Sequence, residues 1–330
     1  MTSAPLEAST TLRKRARVNS DVSAPRRNDF PKVEEIEHHG SFWFDDGDVI
    51  LVAGTTAVRV HASVLSRQSN ILRDLLTRNR DTEMMGGCAV VRLSDSVGDL
   101  TNLMSTFYES KHFLAVNDDV SRNLVLSLGR VGHKYNIEYL RAYAIDKLKA
   151  YFPSTFDEFI ESDFEDDPET LIGAVNLARS MGVVSVLPAA LYQCTVLRVK
   201  ELLDGVRRDD GTVDRLSSED LSRCLNGRRQ LRHANNIGTA WLFNLKTGKE
   251  CSSKDICLRI LRRLPEQWHT LGWFTTSAVL SVAEGAFLTL LNDLCAYCKA
   301  QVEENERDGR RKIWVSLPQY MGVKVEGWET

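Results

Sequence analysis

The sequence predicts an α+β fold, a small sheet with a helical cluster, followed by an all-helical C-terminal region. Short apolar runs typical of strands stand first in residues 42–150. Apolar residues at helical spacing follow them, with mostly short connections. Beyond residue 153 helical patterns alone recur, so the sheet is confined to the first part of the chain.

Length and composition indicate a globular protein with an ample core. The chain has 330 residues, which suggests two or three domains, and 43% of them are hydrophobic against 26% charged. The net charge of -3 argues against a surface built for nucleic acid or anionic lipid. Seven cysteines, an odd number, without a secretory signal or an N-x-Ser/Thr sequon, indicate a reducing compartment, nuclear and/or cytoplasmic. Because of this charge, direct nucleic-acid binding is not expected. A small-molecule substrate is not expected either, since the sequence contains no Gly-rich cofactor loop or catalytic motif.

One stretch has the length of a membrane span. Between Thr270 and Asn292 the only charged residue is Glu284. However, Gly, Ser and Thr dilute the stretch, and Glu284 would lie near the middle of the bilayer at a cost of several kcal/mol. We therefore expect two buried helices here and no membrane partner.

The N-terminal segment, residues 1–38, predicts a disordered tail because it is rich in Ser, Thr, Ala, Pro and Arg without periodicity. A basic run within it is a candidate nuclear-import signal, made of Arg13, Lys14, Arg15 and Arg17. The alternative is a solvated tail without that function.

The second segment, residues 39–152, begins with strands. Val49–Ala53 is a continuous apolar run, Gly54 opens a turn, and Ala57–His61 alternates, which together predict a hairpin. A third strand is predicted at Ala89–Leu93. Helical patterns follow the hairpin, and Ser69 is well placed as an N-cap. Later helices are predicted from about Val97 to Tyr108, after Ser121, and along Leu140, Ala144 and Leu148.

The ordered series "DDGDVIL", "VRVHASVLSRQSNILRDLL", "VVRLSDS" and "GHKYNIEYL" resembles a BTB/POZ domain, most like fungal, basidiomycete-type members. The resemblance covers about a third of the chain. Two positions depart from the family pattern, since Val58 replaces an aromatic residue and Asn70-Ile71-Leu72 replaces Pro-Val-Phe. Both replacements keep the site apolar. The residues assigned to the BTB motif, structural or dimerising, are Asp48, Val60, His61, Val64, Leu65, Ser69, Leu72 and Leu75.

The resemblance implies a docking surface. BTB domains dimerise, and some bind cullin scaffolds of ubiquitin ligases. No catalytic residue is assigned, because His61 at the end of a strand is more typical of packing or capping than of a general base. Asp48 is interpreted in the same way, as a turn or hydrogen-bonding carboxylate.

The rest of the chain is divided into a helical extension at 153–238 and a cysteine-containing helical region at 239–330. Asp167-Pro168 predicts a helix start, with a cap followed by proline at the first helical position. The extension resembles the region after the BTB domain in related fungal proteins and, loosely, the BACK region of cullin adaptors.

Four of the seven cysteines, Cys251, Cys257, Cys295 and Cys298, fall within 48 residues. Four thiolates would form a closed tetrahedral zinc site, and similar fungal proteins carry comparable cysteine pairs. The favoured alternative is burial as small hydrophobic residues, since Leu291, Leu294, Cys295 and Cys298 recur at helical spacing. No cofactor is therefore assigned with certainty, and zinc stays open.

These observations favour a non-enzymatic protein-protein interaction module: a homodimer that docks other proteins, with adaptation of a cullin-based ubiquitin ligase as one role. Nuclear transcription regulation is the alternative. A thiol redox enzyme using Cys295 and Cys298 is the weaker alternative, because no thioredoxin-like βαβ pattern surrounds the pair.

Overall fold

The computed structural model describes residues 36–79, 83–109, 120–162, 167–208, 210–281 and 286–329. Residues 1–35 of the predicted tail lie outside these ranges, and with them Arg13, Lys14, Arg15 and Arg17. Glu37 and His38 already belong to the first strand.

A mixed sheet forms the first layer of the N-terminal part. Its strands are β1 (Glu37–Trp43), β2 (Val49–Ala53), β3 (Thr56–Val60), β4 (Met84–Met85) and β5 (Cys88–Leu93). They lie in the order β1-β3-β2-β5-β4. The predicted hairpin is β2–β3, antiparallel around Gly54, whose φ of 54° lies in the left-handed region that glycine tolerates. β5 runs parallel to β2, and β1 runs parallel to β3.

Both faces of the three central strands are buried. Along β2, Val49 and Leu51 face the helices, whereas Ile50 and Val52 belong to a smaller cluster on the opposite face with Val90. This two-sided burial explains the continuous apolar run in β2.

Helices cover one face of this sheet. They are α1 (Ala62–Gln68), α2 (Asn70–Arg78), α3 (Val97–Tyr108), α4 (Arg122–Lys134) and α5 (Glu138–Tyr151). Ser69, Ser96 and Ser121 cap α2, α3 and α4 by accepting backbone N–H bonds. The predicted caps at Ser69 and Ser121 are confirmed.

The C-terminal part is helical, as expected. Its helices are α6 (Phe156–Glu161), α7 (Pro168–Met181), α8 (Leu187–Cys194), α9 (Val199–Asp204), α10 (Ser218–Gly238), α11 (Lys254–Leu261), α12 (Leu264–Thr270), α13 (Ala286–Asn292), α14 (Ala296–Val315) and α15 (Leu317–Tyr320). Short 3-10 helices lie at Val184–Val186 and Ala240–Asn244. One small ribbon, β6 (Val206–Arg207) with β7 (Val213–Asp214), interrupts the helices. Asp167 caps α7 ahead of Pro168, which confirms that predicted helix start.

Two hydrophobic cores lie in this part. The larger one extends from Leu126 and Leu148, on α4 and α5, through α7 and α8 to Trp314 and Trp328. The smaller one gathers Leu242, Trp268, Phe287 and the buried cysteines around α11 to α14. Hydrophobic packing therefore crosses residue 152, and the boundaries at 152 and 238 stay predictions.

No helix within the described ranges is long and apolar enough to cross a membrane. The prediction of two buried helices between Thr270 and Asn292 is wrong in number, because the described residues of this stretch form one helix. α12 ends at Thr270, the chain turns at Gly272 with a φ of 74°, and α13 is the one helix among the described residues of this stretch.

Candidate functional sites

The junction between the hairpin and α1 contains Asp48 and His61. The side chain of His61, the N-cap residue of α1, makes no capping bond. Asp48 Oδ1 instead accepts the Ala62 N–H at 2.7 Å and so satisfies one backbone donor at the start of α1. The His61 ring lies 3.2 Å from Asp46 through Nε2 and 3.2 Å from the Tyr108 hydroxyl through Nδ1. Both predicted residues therefore make local structural contacts.

A polar network joins Ser69 to the end of α4. Ser69 Oγ donates to the Tyr135 carbonyl at 2.6 Å and accepts the Leu72 N–H at 3.1 Å. The Tyr135 hydroxyl donates to Asp95, which also pairs with Lys134 at 2.7 Å. Burial first, and then the Asp95 charge, raise the pKa of Tyr135, so the phenol stays protonated and holds the carboxylate. Ser69 thus ties the start of α2 to the end of α4.

The remaining motif residues divide by exposure. Val60, Leu65 and Leu72 are fully buried in the core beneath the sheet. Val64 and Leu75 are half-buried, and Ile71, one turn before Leu75 on α2, is 44% exposed. Leu75 packs against that core, so Ile71 is the one large apolar side chain of α1 and α2 that lies exposed.

A second network, centred on Asp99, was not predicted from the sequence. The buried Asp99 carboxylate accepts from Ser127 at 2.6 Å and pairs with Arg130 on α4 at 2.7 Å. Arg208, next to the β6–β7 ribbon, reaches Asp99 at 3.4 Å and Asp214 at 3.2 Å. These contacts fasten the ribbon of the extension to α3 and α4. The sequence shows no periodicity from which such a pairing could be inferred.

The four cysteines at 251, 257, 295 and 298 meet at one place, where their sulfur atoms all lie within 4.8 Å of one another. Cys251 precedes α11, Cys257 lies in its first turns, and Cys295 is the N-cap of α14 with Cys298 in the first turn. Cys295 Sγ is 3.8 Å from Cys251 Sγ, and the Cys295 N–H donates to Cys257 Sγ at 3.4 Å.

The four thiols differ in their surroundings. The backbone N–H groups of Cys298 and Ser252 donate to the Cys295 thiolate and lower the pKa of Cys295 to about 6. Burial raises the pKa of Cys257 and of Cys298. Cys295 is partly exposed, whereas the other three are buried.

This arrangement fits a tetrahedral metal ion. Zinc–thiolate bonds of about 2.3 Å place the sulfur atoms of a regular tetrahedron about 3.8 Å apart. The separation of 3.8 Å between the Cys251 and Cys295 sulfur atoms agrees with that spacing, and four sulfur donors leave no coordination position open. Cys88, Cys194 and Cys224 lie elsewhere, in β5, α8 and α10. Within the described ranges no other group of His, Cys, Asp or Glu has metal-ligand spacing.

The fold and the buried motif residues define an α+β domain joined to a helical region. Residues 41–151 match the family model of the BTB/POZ domain, so the chain contains such a domain. No curated protein and no solved structure matches the chain. The expected likeness to fungal members stays a prediction.

Proposed function

We propose that the chain is a non-enzymatic protein-interaction module that dimerises through its BTB domain and docks other proteins. The observation that carries the proposal is the BTB/POZ match at residues 41–151, since this domain mediates protein–protein interaction. The exposed Ile71 on α2, with Val64 and Leu75 half-buried, supports it, because exposed apolar surface is commonly covered by a symmetric partner.

Replacing Ile71 with aspartate tests the dimer. The unsubstituted 330-residue chain is expected to have a mass of about twice 37.2 kDa by light scattering at micromolar concentration. Ile71→Asp places a charge in the proposed interface without opening the core, because Ile71 is 44% exposed. We therefore expect the variant to be a folded monomer.

Leu203→Asp is the matched control, since Leu203 is 54% exposed on α9 and lies outside residues 41–151. It is expected to leave the dimer intact. A monomeric natural chain, or an Ile71→Asp variant that remains dimeric, contradicts the proposed interface.

The kind of partner separates two cellular roles. Recovery of cullin and RING subunits with the natural protein, identified by mass spectrometry, supports adaptation of a ubiquitin ligase. Transcription regulation requires nuclear accumulation, and Arg13, Lys14, Arg15 and Arg17 are the residues proposed to drive it. Alanine at these four positions in a fluorescent fusion is then expected to remove the nuclear signal.

We further propose that Cys251, Cys257, Cys295 and Cys298 bind one Zn²⁺ as a structural site. A bound ion would join the loop before α11 to the start of α14, and it would stabilise the folded state by several kcal/mol or more. The competing thiol redox enzyme would use Cys295 and Cys298 alone. Two further thiols within 4.8 Å favour the metal site.

Metal removal tests this site. Elemental analysis of protein prepared with zinc present is expected to find about one zinc per chain, and a strong chelator is expected to lower the midpoint of thermal unfolding. Cys257→Ser should lose the metal, because one of four ligands is removed. Cys224→Ser, equally buried but outside the cluster, should retain it. Protein without zinc, and unaffected by chelator, would leave the four cysteines as core residues.

A further inference from the structure

We propose that Cys295 is a site of oxidation by hydroperoxides, and that Cys251 is the thiol that resolves it as a disulfide. The oxidation and the pairing follow from the geometry of the cysteine cluster. The release of metal that follows rests on the zinc site proposed above.

Access selects Cys295 as the thiol that is attacked. Among the four clustered cysteines Cys295 alone is partly exposed, whereas Cys251 is 7% exposed and Cys257 and Cys298 are fully buried. Cys295 stands at the N-cap of α14 with extended backbone (φ -64°, ψ 157°), so it precedes the helix. A small peroxide reaches this sulfur first, because oxidation of cysteine follows exposure as well as thiolate character.

Its place outside a helix selects Cys251 as the second thiol among three neighbours that all lie within 4.8 Å. Its sulfur lies 3.8 Å from that of Cys295, and disulfide formation requires an approach to about 2.05 Å. Cys251 lies in the irregular segment between the 3-10 helix at Ala240–Asn244 and α11, where a small backbone shift breaks no helical hydrogen bond. Cys257 and Cys298 are held inside α11 and α14.

The reaction balances with one hydroperoxide. The Cys295 thiolate attacks the terminal peroxide oxygen, an S–O bond forms, the O–O bond breaks, and the alkoxide or hydroxide leaves and takes up a proton. The Cys251 thiolate then attacks the resulting sulfenic acid, the S–S bond forms, and hydroxide leaves as water after protonation. Two thiols lose two electrons in total, and the hydroperoxide is reduced to an alcohol and water.

This disulfide removes half of the zinc ligands. A closed site needs four thiolates, and after oxidation Cys257 and Cys298 alone keep theirs. The ion is therefore released as the disulfide forms. A reducing thiol reverses the change, since a disulfide lies on the reversible part of cysteine oxidation.

Treatment of the unsubstituted 330-residue protein with hydrogen peroxide tests the proposal. After free thiols are alkylated, mass spectrometry of proteolytic peptides is expected to find a Cys251–Cys295 disulfide, and a colorimetric chelator should record zinc release at the same rate. Dithiothreitol should restore both thiols. In Cys251→Ser the sulfenic acid should persist at Cys295 and be trapped by dimedone. Cys88→Ser, a control outside the cluster, should behave like the natural protein.

The outcomes separate this proposal from the zinc site. A Cys295–Cys298 disulfide, first oxidation at another clustered cysteine, or four unmodified thiols would overturn it. Peptide mapping of the natural protein decides this even where Cys251→Ser does not fold. A Cys251–Cys295 disulfide in protein that holds no zinc would support the oxidation site and contradict the metal site.

Discussion

At the residue scale, Ser69 connects three parts of the BTB domain with one hydroxyl. It is 4% exposed, it caps α2 through the Leu72 N–H, and it donates to the carbonyl of Tyr135 at the end of α4. A hydroxyl can both donate and accept, so one side chain makes both bonds. The residue therefore ties the start of α2 to the end of α4.

Ser69→Ala is expected to lower the free energy of unfolding by about 2 kcal/mol. Loss of an N-cap costs about 1 kcal/mol, and a buried carbonyl left without its donor adds a similar amount. Urea unfolding measures the change. Ser121→Ala is the control, since Ser121 caps α4 from an exposed position and should cost about 1 kcal/mol or less. Equal effects of the two substitutions would show that the Tyr135 bond contributes little.

At the element scale, Gly129 sets the approach of α4 to its neighbours. A Cβ at this position would lie 2.5 Å from Leu177 on α7 and 2.9 Å from the Cβ of Ala144 on α5. The Leu177 side chain can rotate away, but the Ala144 Cβ is fixed to the backbone. α4 can therefore lie against both helices at once because residue 129 has no side chain.

Gly129→Ala is expected to destabilise the protein by roughly 1–2 kcal/mol. Alanine gains about 1 kcal/mol in helix propensity, but overpacking costs more than it returns. Gly98→Ala in α3 is the control, because its nearest described neighbour is Asp210 at 3.4 Å, an ordinary contact. That substitution should leave the midpoint of thermal unfolding unchanged or raise it. A stabilised Gly129→Ala variant would mean that α4 shifts freely.

Which elements could be predicted depends on their burial. β2 is apolar throughout, β3 and β5 are mostly buried, and all three were predicted within one residue of their bounds. β1 and β4 were missed, because they lie at the sheet edges and most of their side chains are exposed. The Asp99–Arg208 pair, 109 residues apart, was also missed, since charged residues carry no periodic signal. The four clustered cysteines could be identified as candidate ligands from the sequence. Whether their sulfur atoms lie together depends on the tertiary packing of α11 and α14, which the sequence pattern does not reveal.

At the scale of the whole molecule, the larger hydrophobic core joins residues that lie far apart in the sequence. Phe156 begins α6, yet it packs near Trp314, and its N–H is accepted by Glu329, 173 residues later. The Trp328 ring lies tilted against that of Trp314, and its Nε1–H donates to the Trp314 carbonyl at 3.0 Å. The two ends of the C-terminal part therefore meet in one core.

Because the larger core joins residues far apart in the chain, the two cores form in a fixed order during synthesis at the ribosome. The core beneath the sheet is complete once Leu140 has emerged, but the larger core waits for Trp328. At about 5–20 residues per second that interval lasts roughly 10–40 s. Until α7 has emerged, the faces of α4 and α5 that carry Leu126 and Leu148 are uncovered on an already folded domain. Once α7 has covered them, the side of α8 that contacts α15 is still open. The nascent chain is thus expected to engage chaperones after its BTB domain has formed, and to release them when the last tryptophan arrives.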